Sequence, residues 1–366
     1  MEDLKADCRN FISNIPCAPH KKNGVHCSDC GYYDPVKERY LIIKLGAIGD
    51  VIRTTPLLRK VKAVHPHAEI WWLTHTPEIL PDLVDRKLKF DLSSVLQIEE
   101  TGFDFVFSLD KDFEAAAIAN RAQGKIKKGF IFKNGKTFPV DKAAESKFLT
   151  GLFDDVNRAN AKSYPEEIFE MCGYEFAGEE YVFPNFAGDG YNWELPAGCP
   201  KVGLNTGCGE RWTSRLVPET TWVETARALK AQGFAVVLLG GKQEHERNLA
   251  IAEKSGAFYP GYFPLRQFVN FVDQMDLVIT CVTMGMHIAV GLKKKLVLIN
   301  NIFNPREFEL YGRGEIIQPD KACQCYFSPR CTNQDYFCLN HIPAEKIVNS
   351  VLRLLRHAHG REAEIA

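Results

Sequence analysis

Long apolar runs and a surplus of either charge are both missing from this sequence of 366 residues. No stretch approaches the roughly 18 to 20 apolar residues that a membrane-spanning helix requires. Lysine and arginine together number 45, and aspartate and glutamate 46, so that no overall field attracts nucleic acid or an anionic membrane. These two absences argue against a helical membrane protein and against a nucleic-acid-binding protein.

The first residues also lack the features of a secretory signal, because residues 1–5 are polar and acidic where a signal peptide is basic and then apolar. We therefore expect a cytoplasmic protein, whose association with the inner face of the cytoplasmic membrane would be peripheral. In that reducing compartment the 12 cysteines are expected to be thiols or metal ligands instead of disulfides.

A hydrophobic fraction of 45% and a charged fraction of 25% are typical of a globular protein. The length predicts two domains of roughly 150 residues each, with shorter appendages. Apolar runs predict strands at residues 40–43, 69–74, 94–98, 103–109, 126–132, 201–205, 235–239, 276–280 and 295–299. Helical patterns alternate with these runs, which predicts parallel sheets with helices on both faces.

We predict an α/β fold with two doubly wound, Rossmann-like domains that face each other across a cleft. Residues 184–200 are rich in glycine, proline and asparagine and mark a linker. The predicted divisions are a Cys-rich segment at 1–38, a first domain at 39–185, a second domain at 186–342, and a helix and tail at 343–366.

Residues 40–56 carry the pattern around which the first domain is organised. A buried strand leads through a turn with Gly46 and Gly49 to Asp50 and a helical pattern. Such a turn brings backbone N–H groups and one side chain to the carboxyl edge of a sheet, where ligands bind. The turn matches neither the dinucleotide fingerprint nor a P-loop. Asp50 is either a helix N-cap or a carboxylate that faces a ligand.

Four cysteines in the N-terminal segment predict a metal site. Cys27 and Cys30 are separated by two residues, which lets both thiolates reach one tetrahedral ion, and Cys8 and Cys17 precede them. Few apolar residues surround them, so that structural zinc or iron would supply the missing folding energy. The alternative is four unligated cysteines, because the wider gaps match no standard zinc finger.

A second group of cysteines, Cys323, Cys325, Cys331 and Cys338, lies within 16 residues near the C-terminus. Four thiols so close together are able to hold one zinc or iron ion, although their spacing is not that of a common finger. Metal binding and free thiols both stay open for this group.

Three loops at strand ends in the second domain predict a diphosphate site. Glycines allow the backbone to approach a phosphate, helix N-termini carry partial positive charge, and arginine offers paired donors. The candidate residues are Thr206, Gly207, Gly209, Arg211 and Arg215 in the first loop, Gly240, Gly241 and Glu244 in the second, and Thr283, Met284, Gly285 and His287 in the third. The alternatives are a solvated surface arginine for Arg215 and a packed helical histidine for His287.

Taken in order, residues 41–51, 205–219, 283–289 and 304–312, together with the Cys-rich tail, resemble the motifs of glycosyltransferase family 9. This family comprises the ADP-heptose heptosyltransferases of lipopolysaccharide core assembly. The resemblance spans residues 40–355. It implies the GT-B architecture and an inverting sugar transfer from a nucleoside diphosphate donor without a catalytic metal or other cofactor.

Carried onto this chain, the resemblance assigns Asp50 as the general base on the acceptor hydroxyl and Arg215 as the residue that stabilises the departing diphosphate. The donor would be lined by the three loops above, and the acceptor would lie near Gly46, Gly49 and His75. Val217 and Val282 depart from the family pattern, which leaves the donor sugar and nucleotide open. The expected partners are an ADP-heptose-like donor and a glycan, glycolipid or protein acceptor.

Two other functions fit the same architecture. A nucleotide-sugar epimerase or hydrolase would turn over the donor without an acceptor. A chain that had lost its catalytic residues would bind nucleotide or metal as a scaffold.

Overall fold

The computed structural model describes residues 4–184, 186, 191–321, 323–333 and 335–362, with residues 356–362 described by their backbone alone. Parts of the predicted linker at 184–200 and of the tail at 343–366 therefore lie outside the described residues. The chain divides into two compact units, one formed by Met1–Leu149 and Pro165–Pro184 and the other by Thr150–Tyr164 and Asn185–Ala366. Among the described helices, none combines the length and hydropathy of a membrane span.

The first unit is built on a sheet with the strand order β3-β2-β1-β4-β5-β6. Its strands are β1 Arg39–Ile43, β2 Glu69–Thr74, β3 Arg86–Lys89, β4 Gly102–Ser108, β5 Gln123–Lys133 and β6 Lys136–Pro139. All neighbours are parallel except β5 and β6, which form an antiparallel hairpin. Residues 40–43 of the central strand β1 are completely buried, as expected of a parallel strand that is covered on both faces.

Short helices connect and flank these strands. They are α1 Ala18–Asn23, α2 Ile48–Ile52, α3 Pro56–Val64, α4 Leu92–Glu99, α5 Phe113–Arg121, α6 Glu145–Leu149 and α8 Tyr164–Cys172, whereas α7 Asp154–Ala159 belongs to the second unit. Pro56 begins α3 at its first position, where the missing N–H costs no hydrogen bond, and this separates α3 from α2.

The second unit has a fully parallel sheet with the order β11-β10-β9-β7-β8. Its strands are β7 Lys201–Asn205, β8 Ala235–Leu239, β9 Leu277–Cys281, β10 Lys295–Ile299 and β11 Gly314–Ile317. Its helices are α9 Glu219–Ala231, α10 His245–Ser255, α11 Leu265–Asp273, α12 Met284–Gly291 and α13 Ala344–Glu362. Trp222 of α9 and Val351 of α13 are completely buried in the core beside β7 and β9.

One predicted strand is wrong. Residues 94–98 belong to helix α4, because Asp91 caps its N-terminus by accepting a hydrogen bond of 2.9 Å from the N–H of Ser94. Strands β3, β6 and β11 were not predicted. They lie at or near sheet edges, where a strand carries polar residues and lacks a long apolar run.

Each sheet reverses its strand order once, between β1 and β4 in the first unit and between β7 and β9 in the second. Loops on either side of such a point diverge to opposite faces and leave a crevice at the carboxyl ends of the strands. Ligand sites are therefore expected in the loops that follow β1, β4, β7 and β9.

Gly129 provides a direct test of the first sheet. It has φ of +91°, and a Cβ there would lie 1.9 Å from the carbonyl oxygen of Ser108 on β4. We expect Gly129→Ala to lower the free energy of unfolding by roughly 3 kcal/mol or more, as measured by urea denaturation of the full chain.

Gly135 in the β5–β6 turn is the matched control. It has φ of +77°, but no atom lies within 4 Å of the position that a Cβ would take, so that Gly135→Ala should cost only about 1 kcal/mol. Equal losses in the two variants would show that the close contact with Ser108 does not constrain the sheet.

Candidate functional site

In the second unit, the loops after β7 and β8 are tied together by side chains of α10. The hydroxyl of Thr206 donates a hydrogen bond of 2.5 Å to Oδ1 of Asn248, and Nδ2 of Asn248 donates at 3.3 Å to the carbonyl oxygen of Leu239. Thr206 and Asn248 are both buried. These bonds fix the position of the loop after β7 relative to the end of β8.

The Glu244 side chain lies against glycines of both loops. A Cβ on Gly207 would lie 2.1 Å from Oε1 of Glu244, and a Cβ on Gly240 would lie 2.8 Å from its Cβ. The other carboxylate oxygen accepts a hydrogen bond of 2.9 Å from the N–H of Gly241. The Glu244 side chain thus occupies the space that side chains at Gly207 and Gly240 would fill.

A cavity of about 290 Å³ opens beside these loops. This volume is at the lower limit of ligand pockets, roughly 300 Å³. The cavity is lined by Gly207, Cys208, Gly209, Glu210, Thr213, Leu216, Gln243, Glu244 and Arg247. Three of the predicted donor-site residues, Gly207, Gly209 and Glu244, are thus brought together in one cavity.

Arg247 is a lining residue that the sequence analysis missed. Its guanidinium donates a hydrogen bond to the carbonyl oxygen of Val217, and its Nε is buried without a hydrogen-bond partner among the described residues. Burial lowers the pKa of Arg247, which shows that its charge is incompletely solvated. The spacing of three residues from Glu244 at the start of α10 was the signal that could have identified it.

Arg215 has a different environment from the one predicted. Its side chain is buried. The guanidinium donates one hydrogen bond to the carbonyl oxygen of Val282 and another, of 3.1 Å, to that of Cys208. It also lies over the rings of Trp212 and Phe303. Burial lowers its pKa. The alternative of a solvated surface arginine is therefore wrong. Arg215 is not among the residues that line the cavity, and it joins the loop after β7 to the end of β9.

The loop after β9 is organised by Asn205. Its amide donates hydrogen bonds of 2.8 and 3.1 Å to the hydroxyls of Thr280 and Thr283, and a Cβ on Gly285 would lie 2.9 Å from its Nδ2. Thr283 is the N-cap residue of α12, and His287 is buried within that helix. Several predicted donor residues do not line the cavity: Thr206, Arg211, Gly240, Gly241, Thr283, Met284, Gly285 and His287.

In the first unit, the turn after β1 is held by a residue that was not predicted, Asp110. Its carboxylate accepts hydrogen bonds from the Lys44 ammonium and from the N–H groups of Leu45 and Gly46, the last at 2.9 Å. Both Lys44 and Asp110 are buried. An acidic residue directly after a buried strand was the available sequence signal.

Asp50 lies in the first turn of α2, and its Oδ1 is 2.8 Å from Nη2 of Arg53. Ala47 occupies the N-cap position, so that the interpretation of Asp50 as the N-cap is wrong. The Asp50 side chain is 34% exposed. Its carboxylate is therefore accessible to solvent while paired with a cation at the end of the same helix.

The other residues predicted on the acceptor side differ in exposure. Gly49 is buried in α2, whereas His75 follows β2, is exposed, and packs edge-on against Phe90 with ring centroids 5.2 Å apart. Gly46 lies beside the Asp110 carboxylate, since a Cβ on Gly46 would be 3.5 Å from Oδ1 of Asp110.

The C-terminal cysteines contact one another. Sγ of Cys325 lies 3.6 Å from Sγ of Cys331, and the N–H of Cys325 donates to Sγ of Cys323 at 3.3 Å. Desolvation opposes ionisation of Cys325, but hydrogen bonds from the hydroxyl and N–H of Thr332 outweigh it and lower its pKa to about 7. In the described part of the chain, no three His, Cys, Asp or Glu side chains are arranged to hold a metal ion.

Residues 184–336 match the model of glycosyltransferase family 9 (heptosyltransferase). These residues form a family 9 glycosyltransferase domain. No curated protein sequence matches the chain.

Solved structures match the fold over most of the chain. The ADP-heptose lipopolysaccharide heptosyltransferase II of E. coli is 18% identical, with 88% of this chain and 99% of that chain covered and a TM-score of 0.64. A family 9 glycosyltransferase from Veillonella parvula is 16% identical, with 87% and 97% covered and a TM-score of 0.67. The iron-containing dodecameric glycosyltransferase TibC of enterotoxigenic E. coli is 14% identical, with 88% and 77% covered and a TM-score of 0.56.

These findings confirm three predictions from the sequence. The motifs of the second unit belong to family 9, the protein is a glycosyltransferase, and its two α/β sheets, which are parallel apart from the β5–β6 hairpin, are those of the GT-B fold. The family 9 domain includes the cavity beside Glu244, so that this cavity is a candidate substrate site.

The buried position of Arg215 predicts a structural role that can be measured without substrate. We expect Arg215→Met to lower the free energy of unfolding by roughly 3 kcal/mol, because it leaves two buried carbonyl groups without their donor. Arg211→Met is the control, since Arg211 is exposed and should change stability by about 0.5 kcal/mol or less. Equal urea midpoints for the two variants would contradict this role.

Proposed function

We propose that the protein transfers a sugar, with inversion and without a catalytic metal, from a nucleoside diphosphate donor to an acceptor hydroxyl. The observation that carries this proposal is the cavity of the family 9 domain, which combines glycine loops, a carboxylate and an arginine at the carboxyl ends of β7 and β8. The solved structure of E. coli heptosyltransferase II is named for ADP-heptose, and we propose a donor of that kind here.

The lining residues suit the two chemical parts of such a donor. The Glu244 carboxylate is an acceptor for ribose or sugar hydroxyls, and it is already oriented by the N–H of Gly241. The backbone at Gly207 and Gly209 and the guanidinium of Arg247 suit phosphate oxygens. We therefore assign the diphosphate to the side of the cavity that Arg247 lines.

Transfer needs two further contributions. Asp50 is proposed to remove the proton from the acceptor hydroxyl as that oxygen attacks the anomeric carbon. Negative charge then gathers on the departing diphosphate, and fixed donors that face this charge lower the barrier. We retain Arg215 for this role and add Arg247, whose guanidinium already borders the cavity.

The acceptor is proposed to be a glycan, a glycolipid such as lipopolysaccharide, or a protein of the cell envelope. We expect the enzyme to meet it in the cytoplasm, at the inner face of the membrane. The exposed or partly exposed lysines of β5, among them Lys125, Lys127 and Lys133, would suit an anionic acceptor.

Donor binding can be tested with ADP alone. We expect Arg247→Met to weaken ADP binding roughly 10- to 100-fold in isothermal titration, because one charge-assisted contact with phosphate is lost. Arg227→Met is the matched control, because Arg227 also donates to a backbone carbonyl, that of Lys254, but lies outside the cavity. If both variants bind ADP as tightly as the unchanged protein, the cavity is not the diphosphate site.

The role of Asp50 can be separated from donor binding. We expect Asp50→Asn to reduce kcat roughly 10²- to 10⁴-fold, as is typical for loss of a general base, while ADP binds with unchanged affinity. The assay measures sugar transfer from ADP-heptose to a panel of envelope glycans, and an arm without acceptor detects hydrolysis.

The control for this experiment is Asp82→Asn. Asp82 is exposed and also pairs with a cation, since its Oδ1 lies 3.2 Å from Nζ of Lys87. It should leave transfer unchanged. A wild-type kcat in Asp50→Asn would reject Asp50 as the base, and donor turnover in the arm without acceptor at the full rate would favour a hydrolase.

A further inference from the structure

The N-terminal segment formed by residues 4–38 has a defined backbone but no hydrophobic core. None of its residues is buried. Its ends are nevertheless paired, since the N–H of Arg9 donates to the carbonyl oxygen of Asp34 and the N–H of Val36 to that of Asp7, both at 2.8 Å. Ordering a chain of this length costs conformational entropy that apolar burial within the segment does not offset.

Polar contacts attach this segment to the rest of the first unit. The guanidinium of Arg9 lies 2.8 Å from Asp34 of the segment and 2.6 Å from Asp85, and it also donates to the carbonyl oxygens of His67 and Ala68. Asp85 in turn accepts a hydrogen bond of 2.7 Å from the N–H of Ile70 at β2. Partly exposed contacts of this kind contribute little stability each. They orient the segment without explaining why it folds.

All four cysteines of the segment line one small cavity. Cys8, Cys17, Cys27 and Cys30 border a space of about 20 Å³, together with Lys5, Asn10, Phe11, Pro19 and Tyr33. This is slightly more than the roughly 10 to 15 Å³ that one water-sized sphere requires. The space therefore suits a single ion and excludes an organic ligand. The four thiols are partly buried, and none forms a disulfide.

The local backbone brings these thiols to the cavity from three directions. The backbone of Cys8 forms an isolated antiparallel β-bridge with Pro35, and Cys17 is the N-cap residue of helix α1. Cys27 and Cys30 flank a turn in which the N–H of His26 donates to Oδ1 of Asp29 at 3.1 Å and the N–H of Asp29 to the carbonyl oxygen of His26 at 3.2 Å. The two histidines of the segment, His20 and His26, pack edge to face and do not line the cavity.

We propose that Cys8, Cys17, Cys27 and Cys30 bind one Zn²⁺ ion as thiolates in a structural site that folds residues 4–38. Four sulfur ligands complete a tetrahedral zinc shell and leave no open position for substrate, so that this ion takes no part in sugar transfer. The thiols are not preassembled in ligand geometry in the described residues. Binding therefore has to draw the thiolates inward, and the free energy of ion binding becomes folding energy of the segment.

The test measures metal in the full chain, purified without added metal. We expect Cys27→Ser/Cys30→Ser to lose one molar equivalent of zinc relative to the unchanged protein, by elemental analysis. Cys199→Ser is the matched control, because Cys199 is also a partly buried free thiol but lies outside both cysteine groups. Less than about half an equivalent lost in the double variant overturns the proposal, and one equivalent of iron in place of zinc overturns the assignment of the ion.

A second measurement keeps the test valid if the double variant folds poorly. The unchanged full chain is treated with iodoacetamide before and after removal of metal by a chelator, and each cysteine is followed by mass spectrometry. We expect chelation to increase the alkylation rate of all four N-terminal cysteines at least tenfold and to open residues 4–38 to proteolysis, while Cys199 is unaffected. Equal alkylation of the four thiols with and without chelator contradicts the site.

Discussion

Both candidate sites depend on one constraint, which is that the N–H groups of a loop after a buried strand must find hydrogen-bond acceptors, from a neighbouring loop or from the same loop. In the first unit, Asp110 after β4 accepts from Leu45 and Gly46 after β1. In the second unit, Glu244 accepts from Gly241, and its carboxylate also lies against Gly207. The same carboxylates that fix the loops thus bring charge to the sheet edges where ligands bind.

The sequence predicted best what depends on local pattern. Strands β8 and β10 have the predicted limits, because a strand buried on both faces is a continuous apolar run. Strand β3 reads Arg-Lys-Leu-Lys at an edge and carries no such signal. The hairpin β5–β6 did carry one, the turn Asn134-Gly135, which favours a two-residue connection. Helix α4 was mistaken for a strand because its cap, Asp91, lies outside the apolar run.

The residues of the candidate site likewise fall into two groups, those that a local sequence pattern predicts and those that only the folded structure identifies. Gly207 and Gly240 were identifiable from sequence, because a glycine loop between strand and helix has a local meaning. The contact of Gly207 with Glu244 is tertiary, whereas Gly240 meets Glu244 within its own loop. Asp110 and Arg247 each carried a weak local signal, but their contacts with Leu45, Gly46 and Val217 form only after segments distant in sequence become neighbours. The burial of Arg215 against Trp212 and Phe303 is likewise a property of the folded unit.

Arg215 and Arg247 of the family 9 domain differ in how a bound diphosphate would change their contacts. Arg247 has one neutral carbonyl partner and borders the cavity, so that an arriving phosphate adds a stronger partner to a charge that burial has left incompletely solvated. Arg215 already has two carbonyl partners, at Val282 and Cys208, and would have to give up at least one. Because Cys208 itself lines the cavity, a ligand that displaces this carbonyl would act directly on the Arg215 contact. Arg247 therefore suits binding of the donor in the ground state. A contact between Arg215 and the diphosphate must be strong enough to replace hydrogen bonds that stabilise the fold. The negative charge that gathers on a departing diphosphate would make such a contact strong enough.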